Sequence, residues 1–220
     1  MMKTILFQGD SITDCGRSRD AAITVGQAPG AFGTGYPYLV SSRLALDAPG
    51  AYNFRNRGIS GNRIVDLYAR IKIDLLNLRP DYMSILLGIN DVWHEVSYQN
   101  GVDTPKFERV YRMILDEVYE ALPDIKILLF TPFVLKGSAT FNPENPARWE
   151  YFRDECAEKA KAVVRVARDY PVGLSLTQPL FDAAEKEVSA NQLLTDGVHP
   201  SIAGAEILAQ EWIKWFDTVK

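Results

Sequence analysis

Short apolar runs of strand length alternate along this chain with longer segments of helical period, and that alternation restricts the fold more than any other feature of the sequence. The runs are Thr4 to Gln8, Ala51 to Asn56, Tyr82 to Leu87, Ile125 to Thr131 and Val172 to Thr177. All but the second are nearly continuously apolar, as suits strands covered on both faces. Helices are expected at Tyr36 to Leu46, Arg63 to Asn77, Pro105 to Leu122, Ala147 to Asp169 and Ser201 to Phe216. In the third of these, Phe107, Val110, Tyr111, Ile114, Leu115, Val118 and Leu122 recur at three and four and mark one buried stripe. Pro80 and Pro123 close two helices, because proline disfavours helix in the residue before it. The pattern predicts an α/β architecture built on five parallel strands. A chain of 220 residues fits one core, since single cores saturate near about 250 to 300 residues. No repeat, low-complexity tract or linker divides it, so one domain spanning 1–220 is expected.

Charge and composition exclude several functions. Lys and Arg number 24 against 28 Asp and Glu, a net charge of −4, which leaves no basic footprint for nucleic acid. Only Ile5, Leu6 and Phe7 precede the polar turn at Gln8, whereas a secretory signal needs about 7 to 15 apolar residues. No stretch approaches the roughly 18 apolar residues of a membrane span. Cys15 and Cys156 read as free thiols in a reducing compartment, so a cytoplasmic address with no membrane partner is expected. His94 and His199 are the only histidines. They are too far apart for a zinc site, and the stretch Gly26 to Gly35 lacks the Gly-Lys-Ser/Thr of a phosphate loop, so neither metal nor cofactor is called for.

Four long irregular stretches, Gly9 to Gly35, Val92 to Thr104, Pro132 to Asn145 and Val188 to His199, are expected at the C-terminal edge of the sheet, where open α/β folds bind ligands. The first opens Gly9-Asp10-Ser11; the last ends Asp196-Gly197-Val198-His199. Taken alone, Ser11 and Asp10 read as turn and cap residues, and Asp196 as a cap before the last helix. Together they supply a hydroxyl nucleophile, an imidazole base and a carboxylate to orient that base. The loop from Asn56 to Arg63 offers a backbone amide, and Asn90 a side-chain amide, to the oxyanion of an acyl-transfer intermediate. Trp93, His94 and Tyr98, with Trp149 and Tyr151, either line a cleft or cover the sheet edge. Asp10 is read as tying its loop by backbone hydrogen bonds, toward the Asn56 to Gly61 segment. Cys15 is read as a packed thiol, and Arg55, Arg57 and Arg63 as paired with acids such as Asp66.

Four blocks in order, Gly9-Asp10-Ser11, the Asn-x-Gly-x-x-Gly of Asn56 to Gly61, Gly88-Ile89-Asn90-Asp91 and Asp196-x-x-His199, resemble those of the SGNH, or GDSL-like, hydrolases along nearly the whole chain. The commonest first block has Leu where this chain has Ile12. The resemblance implies a three-layer α/β/α sandwich with a flavodoxin-like five-stranded parallel sheet of order 2-1-3-4-5. It implies a metal-independent serine esterase with Ser11 as nucleophile and Asp196 and His199 completing the triad. The oxyanion donors would be the Ser11 and Gly61 amides and the Asn90 side chain. The longer strings Gly9 to Arg17, Gly33 to Tyr36, Gly88 to Trp93 and Thr131 to Phe133 look most like the intracellular acetylxylan esterases. The expected substrate is therefore an acetylated carbohydrate, probed by Trp93 and His94. The alternatives are a thioesterase or lysophospholipase on the same site and a carbohydrate-binding pseudoenzyme. Family members often associate, which leaves a homo-oligomer open.

Overall fold

The computed structural model describes residues 2–20 and 28–220; Gly26, the start of the glycine-rich stretch, lies outside them. Five strands form one parallel sheet: β1 (Lys3–Gly9), β2 (Tyr52–Asn56), β3 (Tyr82–Leu86), β4 (Lys126–Phe130) and β5 (Gly173–Ser175). Their order is β2-β1-β3-β4-β5. β1 lies between β2 and β3, with Phe7 opposite Asn56 on one side and Ser84 on the other. The chain therefore reverses its direction of winding beside β1, and the crevice that opens there is where such sheets present ligands.

Side-chain alternation divides the strands between two cores. Ile5, Phe7, Phe54, Tyr82, Leu128 and Phe130 face one layer, built largely from α2 (Tyr36–Asp47) and α10 (Ile202–Val219). Leu6, Met83, Ile85, Ile127 and Leu129 face the other, built from α3 (Ile64–Ala69), α4 (Ile71–Asp74), α6 (Thr104–Ala121) and part of α7 (Ala147–Asp169). The expected stripe of α6 lies wholly in this second core. Asp103 starts that helix by accepting the Lys106 amide at 2.9 Å, with Pro105 in the first turn. The result is the three-layer α/β/α sandwich that the resemblance implies, built on the five parallel strands that the alternation predicts. No helix among the described residues is long and apolar enough to cross a membrane.

Two expectations need correction. The helix expected from Arg63 to Asn77 is broken at Arg70 (φ −113°, ψ 9°) into α3 and α4, and again at Leu75 (φ −138°, ψ −69°) before a 3-10 turn at Leu76–Leu78; at the first break the Arg70 side chain bonds the neighbouring loop. The stretch from Val92 to Thr104 is not wholly irregular. Ile89–Tyr98 forms α5, which buries Ile89 and Val92 and packs Trp93 and Val96 on the core at helical spacing. Its Trp, His, Val and Tyr content is mediocre for helix formation, so tertiary packing decides it. Gln99, at φ 52°, caps it.

The shape of the first core rests on Trp212 of α10, which has no solvent exposure, stacks on Phe216 at 5.0 Å and leans on Phe7 of β1 at 5.6 Å. Trp212→Ala should cost about 3–5 kcal/mol through lost transfer energy and an unfilled cavity. Urea unfolding is expected to show a lowered midpoint at unchanged slope.

Candidate active site

β1 runs straight into the site. At Gly9 a Cβ would lie 2.6 Å from the Leu86 carbonyl oxygen of β3 and closer still to Thr13, so only glycine permits this approach. Asp10 then caps α1 (Ser11–Asp14), its Oδ1 accepting the Ile12 amide at 2.9 Å. That turn presents Ser11 to the crevice. At the far end of the chain, after α8 (Thr177–Ala184) and α9 (Ala190–Leu193), a tight turn brings Asp196 and His199 to the same place. Ser11 Oγ lies 2.9 Å from His199 Nε2, and His199 Nδ1 lies 2.7 Å from Asp196 Oδ2. The second oxygen, Asp196 Oδ1, accepts the Val198 and His199 amides at 2.9 and 2.8 Å. Loop 132–141 buttresses the turn, since the Leu135 amide donates to Gly197 O and the Ala139 amide to Asp196 O, each at 2.9 Å.

These contacts set the charges. Burial raises the Asp196 carboxyl, but the His199 ring and the two amides outweigh it and hold the group at about 2. The hydrogen bond to Asp196 raises the imidazole of His199 above its ordinary 6.5 against the opposing effect of burial. With Nδ1–H directed at Asp196, Nε2 is free to accept the Ser11 proton. Asp10, nearly inaccessible, behaves oppositely: burial pushes it up to about 7, while the Ile12 amide and the nearby His199 and Asn90 pull it down.

Two further loops complete the crevice. Gly61 adopts φ 82°, a left-handed conformation open to glycine, at the turn before α3. Asn90 is in the first turn of α5 after Gly88, nearly buried, with Nδ2 donating to the Asn62 carbonyl at a long 3.3 Å. Ser11 opens α1, where helix geometry leaves its N–H without an intrahelical acceptor. A hydroxyl activated by an oriented imidazole, beside a loop amide and a carboxamide, can perform acyl transfer.

Residues 7–207 match the GDSL-like lipase/acylhydrolase family. The chain belongs to that family. An acetylxylan esterase from Geobacillus stearothermophilus is 35% identical over 217 residues, spanning 96% of this chain and 92% of its own. A crystal structure reported as a GDSL-like lipase from Parabacteroides merdae superposes with a TM-score of 0.88 at 33% identity, over 97% of this chain and 96% of its own. The crystal structure of the Geobacillus stearothermophilus acetylxylan esterase gives 0.81 at 33% identity, over 96% and 93%. This GDSL-like chain is accordingly a carboxylic ester hydrolase.

The aromatic residues divide. The Trp93 ring is 6.0 Å from the His199 ring and 5.9 Å from that of Phe152, so it borders the imidazole. His94, one helical turn after Asn90, packs its ring edge-on to Tyr98 at 5.3 Å. Burial and Arg63 lower its pKa. No contact joins His94 to Ser11 or His199 among the described residues. Trp149 lines a separate groove of about 530 Å³ with Pro132, Val134 and Arg153, and Tyr151 one of about 520 Å³ with Glu95 and Lys159. Arg63 pairs with Asp66 at 2.9 Å as read from the sequence. The tie from the nucleophile turn to the second loop, expected of Asp10, is made instead by Asp14, which accepts the Ser60 amide at 2.9 Å, and by Gly9 O, which accepts the Ile59 amide at 3.0 Å. Asn56 adds bonds from its side chain to Thr13 O at 2.7 Å and Phe32 O at 2.9 Å. Asp91, which ends the block Gly88-Ile89-Asn90-Asp91 and is given no role by the sequence, accepts the Ile64 amide that opens α3 with both oxygens, at 3.1 and 3.2 Å.

An imidazole that must be neutral to act as a base, and whose pKa is raised, loses activity on the acid side. In this GDSL-like hydrolase kcat/KM should fall about tenfold per pH unit below an inflection lying above 6.5. A pH profile on p-nitrophenyl acetate with its inflection at or below 6 would contradict the Asp196 pairing.

Proposed function

We propose that the chain removes acetyl groups from a carbohydrate, acetylated xylooligosaccharides first among them, through an acyl-enzyme on Ser11. The observation that carries this reading is the continuous array from Ser11 Oγ through His199 to Asp196, at 2.9 and 2.7 Å. The substrate class is supported by the likeness to the acetylxylan esterase of Geobacillus stearothermophilus. His199 takes the Ser11 proton as Oγ attacks the ester carbonyl. Charge on the carbonyl oxygen is held by the Ser11 and Gly61 amides and the Asn90 side chain. His199 then protonates the departing sugar oxygen, which leaves as a free hydroxyl; in the second half it takes a proton from the water that attacks the acyl carbon and returns it to Ser11 Oγ, releasing acetate and free Ser11. Trp93 supplies a ring face beside the imidazole, and His94 a pocket wall. In this reading the whole chain works as one domain, in the cytoplasm.

A second reading, an esterase or thioesterase for longer acyl chains, has one observation in its favour. A broad open depression of about 950 Å³ flanks the His199 turn, lined by Val188, Thr195, Pro200 and Ile202 among others, with Ile202 88% exposed. Its apolar floor suits an alkyl chain as well as a sugar face.

Ser11→Ala and His199→Ala should each remove nearly all hydrolysis of p-nitrophenyl acetate while circular dichroism stays unchanged; near-wild-type rates in either would overturn the assignment. Asn90→Ala should lower turnover by about 10² to 10³. Rates across p-nitrophenyl esters of increasing chain length separate the two readings: a steep fall beyond acetyl supports deacetylation, and an optimum at eight carbons or more supports the second. Acetate release from acetylated xylooligosaccharides, compared with acetylated pectin fragments, then tests the sugar.

A further inference from the structure

Arg70 stands at the break between α3 and α4 with its side chain 12% exposed. Nε donates to Asn62 Oδ1 at 2.7 Å. Nη1 donates to the Arg57 carbonyl at 2.9 Å, Gln8 Oε1 at 3.1 Å and Asp74 Oδ2 at 3.2 Å, and Nη2 reaches the Gly9 carbonyl at 3.4 Å. Gln8 in turn donates to the Asp74 carbonyl at 2.6 Å. Arg57 and Asn62 bracket the turn that carries Gly61, and Gly9 ends the strand that delivers Ser11. The Asn62 carbonyl accepts the Asn90 amide. One guanidinium thus grips both ends of the loop, the end of the nucleophile strand and, through Asn62, the side-chain donor Asn90.

We propose that Arg70 is a positioning residue for the oxyanion donors, holding Gly61 and Asn90 at the register that the intermediate requires while touching no substrate. The proposal rests on the acyl-transfer reading above. Its physical basis is the rigid fork of the guanidinium, which satisfies several carbonyls in fixed directions where an ammonium supplies one mobile point charge. A donor moved by about 1 Å can cost about a hundredfold in rate. The cost falls on the transition state, because the charge that Gly61 and Asn90 meet exists only there. A residue that merely stabilised the fold would change the fraction of folded enzyme and leave the kcat of that fraction alone.

The test is a set of double-mutant cycles in the full chain, on p-nitrophenyl acetate, with folding checked by circular dichroism. Arg70→Lys and Asn62→Ala should each lower kcat about ten- to a hundredfold with KM changed less than about threefold. Combined with Asn90→Ala, each should cost clearly less than the product of the single losses, because they act on the same donor. Asn62→Ala removes one bond from a half-buried loop, so its cycle with Asn90→Ala decides the matter if Arg70→Lys fails to fold. Multiplicative losses, or losses confined to KM, overturn the positioning role. Unimpaired Asn90→Ala overturns the oxyanion reading itself, which is a different failure.

Discussion

A 2.9 Å hydrogen bond joins Ser11, one turn past the first strand, to His199, just before the last helix, across 188 positions of chain. A contact between residues that far apart depends on the strands and helices that carry the two partners. The interior position of β1, between β2 and β3, sets one partner, and the packing of α10 against α2 and the sheet sets the other. Because Ser201 caps α10 through the Ala203 and Gly204 amides at 3.1 and 3.2 Å, the helix begins three residues after His199 and fixes where the turn must lie. The site is therefore a product of the whole sandwich, and core residues remote from it, Trp212 among them, bear on it through that geometry.

The crevice is held together by short polar side chains acting on backbone. Asp10 holds its own turn, Asp14 the Ser60 amide, Asn56 the Thr13 and Phe32 carbonyls, and Asp91 the start of α3. Each of these side chains is buried, and a buried polar group is tolerable only when paired. Loops so tied hold the Gly61 and Asn90 amides, the donors proposed above, in place before substrate arrives, which is what electrostatic stabilisation of a developing charge requires.

Much of this was legible in the sequence. Strand positions followed from apolar runs, and the helix expected at Ala147 to Asp169 is found over those residues. The blocks around Ser11, Asn90 and His199 were legible because chemistry demands particular residue types at one sheet edge. What stayed hidden were residues whose role depends on where a side chain reaches. Arg70 follows an ordinary helical pattern, and nothing in its neighbours says that the helix will break to free it. Asp14 and Asp91 look like any acids near a turn. The short β5 was overestimated because Val172 and Leu176 are apolar, yet only Gly173–Ser175 pair with β4 at the sheet edge. α5 was missed because its residues favour helix weakly and only packing on Phe152 and the core selects it.

Two carboxylates face one imidazole here, and their environments assign their roles. Asp196 is half-buried, meets the ring directly and takes two amides, so it stays ionised at about 2 and keeps the tautomer of His199 fixed over the whole working range. Asp10 is buried and is pushed up to about 7, so near neutrality it passes between charged and neutral forms. Its charged form adds to the stabilisation of the imidazolium, as a smaller contribution than the Asp196 hydrogen bond. The acid adjacent to Ser11 in sequence thus modulates the base, while the distant acid defines it. Separated pKa values in neighbouring acids are what allow one to be structural and responsive and the other to be permanently charged. Adjacency along the chain would have suggested the reverse, but the acid that bonds the imidazole is Asp196, while the carboxylate of Asp10 turns to the Ile12 amide.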